Sequence, residues 1–141
     1  MKTKTEIATV ASAVATIAFA ALPAVLSPLA DGTFAGIATR ADGVHCAVVL
    51  ISVAPTDKCY SYNEAKAYAE SVGGQRPPKA VWSLLYETCR DLIPKYWYWV
   101  DEPEGSSCAW LCYFAYGDIY FHLYRSSEGG AVAVRLIPLT T

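Results

Sequence analysis

Two helix-forming segments lie next to each other in this chain, and strand-forming segments precede and follow them. The first, SYNEAKAYAESV, has a capping box made by Ser61 and Glu64, and Gly73-Gly74 predicts where the helix ends. The second, QRPPKAVWSLLYETCRDLI, begins with two prolines and is bounded by Pro94. Its apolar residues, which recur every three to four positions, are Val81, Leu84, Leu85 and Cys89. Because helices and strands are segregated along the chain, we expect an α+β domain with two helices packed on a mainly antiparallel sheet.

The segments on either side of the helices have the composition of β-strands. Before the helices, TFAGIAT and VHCAVVLISVA are separated by the turn sequence RADG, which predicts a hairpin with a largely buried second strand. After the helices come four further strand-like segments, KYWYWV, CAWLCYFAYG, DIYFHLYRS and AVAVRLIPL. Arg135 alternates with apolar residues in the last of them, and we expect it to pair with a carboxylate near the end of the sheet.

Size and charge narrow the range of functions. With 141 residues, of which 54% are hydrophobic and 17% charged, the chain can close one hydrophobic core without a metal or a disulfide. The formal net charge is −2, and the eleven basic residues are scattered along the chain. Since binding to phosphates requires clustered Lys and Arg, the sequence argues against a nucleic-acid partner.

The cysteines do not form a recognisable catalytic or zinc-binding pattern. The five cysteines include no CxxC pair, and only His45 and His122 could join them as ligands. Cys108, Cys112 and His122 could in principle act as nucleophile and base. However, Cys108 and Cys112 share one face of a strand, and free cysteines are usually buried. We therefore expect no enzymatic activity and no cofactor.

An acidic segment follows the KYWYWV strand and is the weak candidate for a calcium site. Its carboxylates are Asp101, Glu102 and Glu104, and calcium takes oxygen ligands from such clusters. The composition DEPEG is also typical of a solvated turn, which is the interpretation that we favour.

The first 20 residues form an apolar arm that allows two interpretations. Lys2 and Lys4 followed by an uncharged segment and Ala18-Phe19-Ala20 are typical of a cleaved signal peptide, whereas Glu6 is not. The alternative is a retained arm that packs against neighbours in an assembly. The 16 uncharged residues from Ile7 to Leu22 are too few and too rich in Ala and Thr for a membrane span.

Several segments taken together resemble the C-type-lectin-like domain of small bacteriophage and prophage proteins and of some bacterial adhesins. The resemblance lies in YNEAKAYAESVGGQRPPKAVWSLLY, YWYWVDE, AWLCYFAYG and GGAVAVRLIPL, and it covers roughly residues 21–140. RPPK, from Arg76 to Lys79, departs from the family's usual Leu-Pro-Thr and lacks its apolar anchor and its N-cap hydroxyl. The lectin calcium motifs Glu-Pro-Asn and Trp-Asn-Asp are absent.

The resemblance also determines how we divide the chain. It reaches back to Leu22 and Pro23, and relatives often carry an Ala/Thr-rich leading segment without an export role. We therefore expect residues 1–20 to be a retained arm and residues 21–141 to be the C-type-lectin-like domain.

The strand DIYFHLYRS separates two sets of side chains because neighbouring residues of a strand point to opposite faces. Ile119, Phe121 and Leu123 form an apolar set that we expect to point inward. The other set, here called the aromatic-polar face, is expected to bind a ligand, because Tyr combines a large rigid ring with a hydroxyl. Its residues are Tyr116, Asp118, Tyr120, His122 and Tyr124, extended by Ser106 and Ser107.

In the family that the chain resembles, the corresponding segment varies between relatives, in some cases through retroelements, while a scaffold is kept. The positions that match this scaffold are Trp99, Trp110, Phe114 and Gly117. The resemblance implies a non-enzymatic, virion-associated binding module for a host-surface glycan or protein, oligomeric and held to other virion proteins through residues 1–20. Two alternatives stay open: a virion decoration or tail component whose aromatic face is a subunit interface, and a secreted adhesin whose arm is cleaved.

Overall fold

The computed structural model describes residues 16–104, 107–116 and 119–141, and within them it forms eight strands and two α-helices. The strands before the helices are β1 (Ile17–Ala18), β2 (Pro28–Leu29), β3 (Gly32–Thr39) and β4 (His45–Val53). The helices are α1 (Tyr62–Ser71) and α2 (Lys79–Thr88). The strands after them are β5 (Trp97–Glu104), β6 (Cys108–Tyr113), β7 (Ile119–Tyr124) and β8 (Val132–Thr140). The predicted α+β class is confirmed.

The strands form two sheets, whereas the sequence suggested one. The larger sheet has the order β1-β8-β4-β3-β2 and the smaller has the order β5-β6-β7. All pairs of neighbouring strands are antiparallel except β1 and β8, which are parallel. The last strand of the chain therefore lies beside β4, in the centre of the larger sheet.

The hairpin predicted before the helices is confirmed. Strands β3 and β4 pair antiparallel with a bulge between Phe34 and Gly36, and Gly36 has a φ of 124°, a conformation that favours glycine. Strand β4 is buried from Cys46 to Leu50, as its β-branched composition predicts.

The start and end of α1 follow from its sequence. The Glu64 N–H donates to Ser61 Oγ, and the Ser61 N–H donates to Glu64 Oε1, so both halves of the capping box form. The helix ends at Ser71, and Gly73 adopts a φ of 84° just beyond it. Its buried side is narrow and includes Ala65 and Ala69.

Helix α2 packs against both sheets. Val81 and Leu85 are buried as the periodicity predicts, and Cys89, which caps the helix end, is buried as well. The largest buried side chain of α2 is Trp82, which the sequence pattern did not single out; it stacks on Tyr98 of β5 with ring centroids 5.3 Å apart. Trp82 thus joins α2 to the smaller sheet.

The acidic segment is part of a strand, which corrects the expectation of a loop. Strand β5 continues to Glu104 through an irregularity between Trp99 and Pro103, where three of its residues lie opposite a single residue of β6. Such a bulge changes the direction of side chains, and here Asp101 and Glu102 occupy it.

The chain from residue 16 to 31 covers the outer face of the larger sheet. Ile17, Leu22 and Leu29 pack there against a buried cluster that includes Val49 and Ile137. The described part of the predicted arm, residues 16–20, thus contributes a strand to the sheet; residues 1–15 lie outside the described residues. The same segment exposes three large apolar side chains, Phe19, Val25 and Leu26. Neither of the helices found in the described ranges has the length and hydrophobicity to cross a membrane.

Candidate binding site on the three-stranded sheet

The pairing of β5, β6 and β7 determines which residues share a face of the smaller sheet. Tyr98, Cys112 and Tyr120 lie in one row across the three strands. Tyr98 and Cys112 are fully buried against the core around α2. Tyr120, which belongs to the aromatic-polar face predicted on β7, therefore lies on the side of the sheet that faces α2.

Tyr120 is half-buried, which differs from the expectation that it points outward. Its ring packs against the main core, and its hydroxyl donates to the Lys79 carbonyl over 3.2 Å. The Lys79 ammonium lies 5.3 Å from the centre of the same ring. Tyr120 therefore contributes to the packing between β7 and the first turn of α2.

Tyr124 lies at the far end of β7 and is 67% exposed, as expected for a contact residue. Ser107 is exposed next to it, and the Arg125 N–H donates to the Ser107 carbonyl over 2.9 Å. Ser106, Gly117 and Asp118 lie outside the described residues, as do the side chains of Tyr116 and His122. The predicted face is thus described only at Tyr120, Tyr124 and Ser107.

The scaffold positions are mostly buried. Trp99 is inaccessible to solvent and donates its indole N–H to the Tyr60 carbonyl over 2.7 Å. Phe114 is buried and meets Trp82 edge to face, with ring centroids 5.6 Å apart. Trp110 is only half-buried, with the Lys79 ammonium 4.0 Å from its ring centre. Gly117 lies outside the described residues.

The other face of the sheet exposes aromatic and apolar groups, including Leu123, which we expected to point inward. Leu123 is 45% exposed and Trp97 is 38% exposed. Trp97 stacks on Tyr113, with ring centroids 4.1 Å apart and ring planes 15° from parallel. A pocket of about 380 Å³ is lined by Trp97, Leu111, Leu123 and Glu128. We call Trp97, Tyr113, Leu123 and Glu128 the open face.

This face is open because its cover extends over only part of the sheet. Helix α1 and the chain around Ala54 and Ala131 bury Trp99, Ala109 and Leu111. The cover ends before Trp97 and Leu123. Sequence parity placed Leu123 with Phe121 in the set expected to point inward, but parity does not tell where a covering helix stops.

The acidic residues of β5 pair with basic side chains. Asp101 Oδ1 lies 2.9 Å from Arg76 Nη2, and Glu102 Oε2 lies 3.4 Å from Lys79 Nζ. Within the described residues, no group of three or more His, Cys, Asp or Glu side chains could hold a metal ion. The side chain of Glu104, the third calcium candidate, lies outside the described residues.

Arg76 is the buried charge that the sequence pattern did not reveal. Its side chain is 6% exposed, and its Nη1 donates to the Tyr62 carbonyl over 2.7 Å. Its guanidinium carbon also lies 3.7 Å from the centre of the Tyr62 ring. Arg76 thus joins the start of α1 to the bulge of β5. Pro78, two residues after Arg76, caps the start of α2 and makes no side-chain hydrogen bond there.

The cysteines are all free thiols, and three of them, Cys46, Cys89 and Cys112, are buried. Burial raises the pKa of the Cys46 and Cys89 thiols, which keeps them protonated and poor nucleophiles at neutral pH. On the sheet, the residue opposite His122 is Trp110 and not a cysteine.

Arg135 differs from its predicted role. It donates through Nε to the Gly73 carbonyl and through Nη1 to the Ala30 carbonyl, each over 3.2 Å. In the described part of the chain it therefore bonds to backbone carbonyls where a carboxylate was expected. Its function is to tie the end of α1 and the turn before β3 to the sheet.

The fold and its surfaces define a small α+β domain with two sheets, two helices and an open aromatic face on the smaller sheet. Neither a protein-family model nor a curated protein matches the chain.

Proposed function

We propose that this protein is a non-enzymatic binding module with a C-type-lectin-like fold, carried on a phage or prophage virion, that recognises a sugar or protein on the host surface. The order of elements supports the fold part of the proposal. A hairpin, two helices joined through Gly73-Gly74, a Trp-rich strand and a returning last strand follow one another as the segments that resemble the family do.

The observation that carries the proposed recognition is the open face. A stacked Trp97–Tyr113 pair beside Leu123 offers flat apolar area, which suits the faces of sugar rings and apolar side chains. Glu128 lines the same pocket and can accept hydrogen bonds from hydroxyls. The site therefore differs from the predicted aromatic-polar face, of which Tyr124 remains as an exposed neighbour at the end of β7.

A virion structural role is the second candidate, favoured by the apolar side chains on the N-terminal segment. Phe19 is 61% exposed, and Val25 and Leu26 are exposed beside it in sequence. In this role copies of the chain would bury these side chains against one another or against other virion proteins.

Binding of the full chain to arrays of bacterial surface glycans and to whole bacterial cells tests the recognition role. We expect Trp97→Ala and Leu123→Ser to reduce binding at least about tenfold, because each removes apolar contact area from the site. Leu92→Ser is the matched control, since Leu92 is exposed to a similar degree on another part of the surface. Equal binding by all three variants would contradict the proposed site.

Sedimentation velocity separates the two candidates. Recognition predicts that the open face stays accessible in the purified protein. The structural role predicts a stable oligomer that dissociates when Phe19 and Leu26 are replaced by Ser.

A further inference from the structure

A second pocket, of about 500 Å³, lies away from the open face. The tip of the β3–β4 hairpin, the start of α2, the bulge of β5 and strand β8 form its walls. Much of its lining is apolar and includes Ala38, Val81 and Leu136. This volume is in the usual range for sites that enclose small molecules.

The charged groups of this pocket come in balanced pairs. Arg40 and Lys79 line it together with Asp101 and Glu102, so its lining carries two positive and two negative side chains. Arg40 is bound by Asp42 through two contacts, of 3.1 and 2.7 Å, and Asp101 is held by Arg76. The Lys79–Glu102 contact, at 3.4 Å, is longer than a strong charged hydrogen bond and is partly exposed.

The walls around the Lys79–Glu102 pair are held in place. Asp101 is fixed by the buried Arg76, and its N–H donates to the Pro77 carbonyl over 2.9 Å. The Lys79 ammonium lies over the Trp110 ring at 4.0 Å. A ligand that enters here would meet a preorganised site and need not order a loop first.

We propose that this pocket binds an apolar α-amino acid, with its carboxylate on Lys79, its ammonium on Glu102 and its side chain against Val81 and Leu136. The Lys79 and Glu102 side chains are 36% and 45% exposed, and a ligand with one charge would separate them and leave one partner without its counter-charge. A zwitterion inserts between the two and satisfies both. The apolar lining then favours a side chain such as that of leucine or phenylalanine.

Titration of the full chain with L-leucine and L-phenylalanine, followed by ¹H–¹⁵N NMR, tests the proposal. We expect saturable shifts at the amides of Lys79, Val81 and Glu102. N-acetyl-L-leucine lacks the ammonium and L-leucinamide lacks the carboxylate, so each should bind at least about tenfold more weakly. Glycine, which lacks the apolar side chain, should also bind more weakly.

Variants separate this pocket from the rest of the molecule. Lys79→Met and Glu102→Gln should each weaken binding at least about tenfold. Lys66→Met and Glu87→Gln change exposed charges on the two helices and serve as matched controls. Ala41→Trp fills the pocket mouth and keeps all four charges, so it should block binding even if loss of Lys79 loosens the fold.

Three results would overturn the proposal. The first is the absence of saturable shifts up to about 20 mM L-leucine, which corresponds to negligible affinity. The second is equal affinity for the singly charged analogues, because the paired-charge argument would then fail. The third is a set of shifts centred on Trp97 and Leu123, which would place the binding on the open face.

Discussion

Arg76 and Asp101 form an ion pair, with Nη2 2.9 Å from Oδ1, in which the arginine is almost fully buried. The pair connects the segment before α2 to the bulge of β5. Arg76 Nη1 also donates to the Tyr62 carbonyl, whereas the buried Arg76 Nε has no hydrogen-bond partner among the residues that the structure describes. One side chain thus joins three parts of the fold, and Asp101 is its charged partner.

We predict that Asp101→Ala lowers the free energy of unfolding by about 3 kcal/mol, because it leaves a buried guanidinium without its counter-charge. The double variant Arg76→Leu with Asp101→Ala should lose less free energy of unfolding than Asp101→Ala alone, because no buried charge then remains unpaired. Urea unfolding at neutral pH measures both. If the double variant loses as much free energy of unfolding as Asp101→Ala alone, or more, Arg76 contributes mainly through packing and its bond to Tyr62.

Tyr120 and Tyr124 should behave differently although both belong to the predicted aromatic-polar face. Tyr120→Ala is expected to cost about 2–3 kcal/mol of stability, because it removes a half-buried ring and the bond to the Lys79 carbonyl. Tyr124→Ala should change stability by less than about 0.5 kcal/mol, because its ring is mostly exposed. Thermal and urea unfolding check this, and a loss of stability at Tyr124 would contradict the exposed position.

Gly130 should not tolerate a side chain. A Cβ there would lie 2.7 Å from Tyr98 Cδ1 and 2.8 Å from Tyr98 Cε1, inside van der Waals contact with a buried ring. We expect Gly130→Ala to lower the free energy of unfolding by about 1–3 kcal/mol. Gly43→Ala is the comparison, because a Cβ there meets no atom within 4 Å, so any cost reflects only its φ of 87°. An unchanged free energy of unfolding in Gly130→Ala would rule out the crowding explanation.

Stability should fall in alkali, partly through Tyr98. Burial, and next the neighbouring Tyr96, raise the pKa of the Tyr98 phenol above its ordinary value. Folding therefore favours the protonated phenol. This contribution is complete below about pH 10, the value in the unfolded chain, and is lost as the pH rises from there toward the folded pKa.

Tyr98→Phe should lower the free energy of unfolding by about 1 kcal/mol at pH 8, because it removes the hydroxyl that donates to the Pro94 carbonyl. Between pH 9 and pH 11, roughly, its unfolding free energy should decline by about 1 kcal/mol less than that of the original chain. Urea midpoints across this range measure the difference, with Tyr124→Phe as the exposed control. Parallel declines in Tyr98→Phe and the original chain would exclude Tyr98 as the group responsible.

The end of the predicted arm should matter for stability. Ile17 pairs with Leu139 of β8 and packs on the outer cluster of the larger sheet. A chain that begins at residue 21 should therefore be about 1–2 kcal/mol less stable than one that begins at residue 16. Equal thermal unfolding of the two would show that β1 contributes nothing.

Local sequence signals predicted the elements of this fold well. The capping box of Ser61 and Glu64 and the apolar spacing of α2 depend on residues within a turn or two of one another, so the sequence pattern contains the cause. The same holds for the β3–β4 hairpin, whose turn lies between two β-branched segments. The acidic strand end was missed because the DEPE composition is typical of a turn, and pairing with β6 overrode that local preference.

The candidate sites were predicted less well because they depend on contacts between distant segments. Alternation along β7 correctly separates its residues into two sets, but it does not tell which set meets α2. The aromatic set turned toward α2 at Tyr120, and Leu123 remained exposed because the cover over Trp99 ends before it. Likewise, the sequence around Arg76 is typical of a surface charge, and only the folded chain places Tyr62 and Asp101 against its side chain.

By itself, the sequence determined the α+β class, both helices with the α1 cap, and the strands to within a few residues, because propensity, periodicity and capping act over short distances. Only the tertiary structure decided that the sheet is divided in two, which face of the smaller sheet is open, and that Arg76 is buried. Those outcomes depend on which surfaces meet when segments far apart in the chain pack together, and no local pattern contains that information.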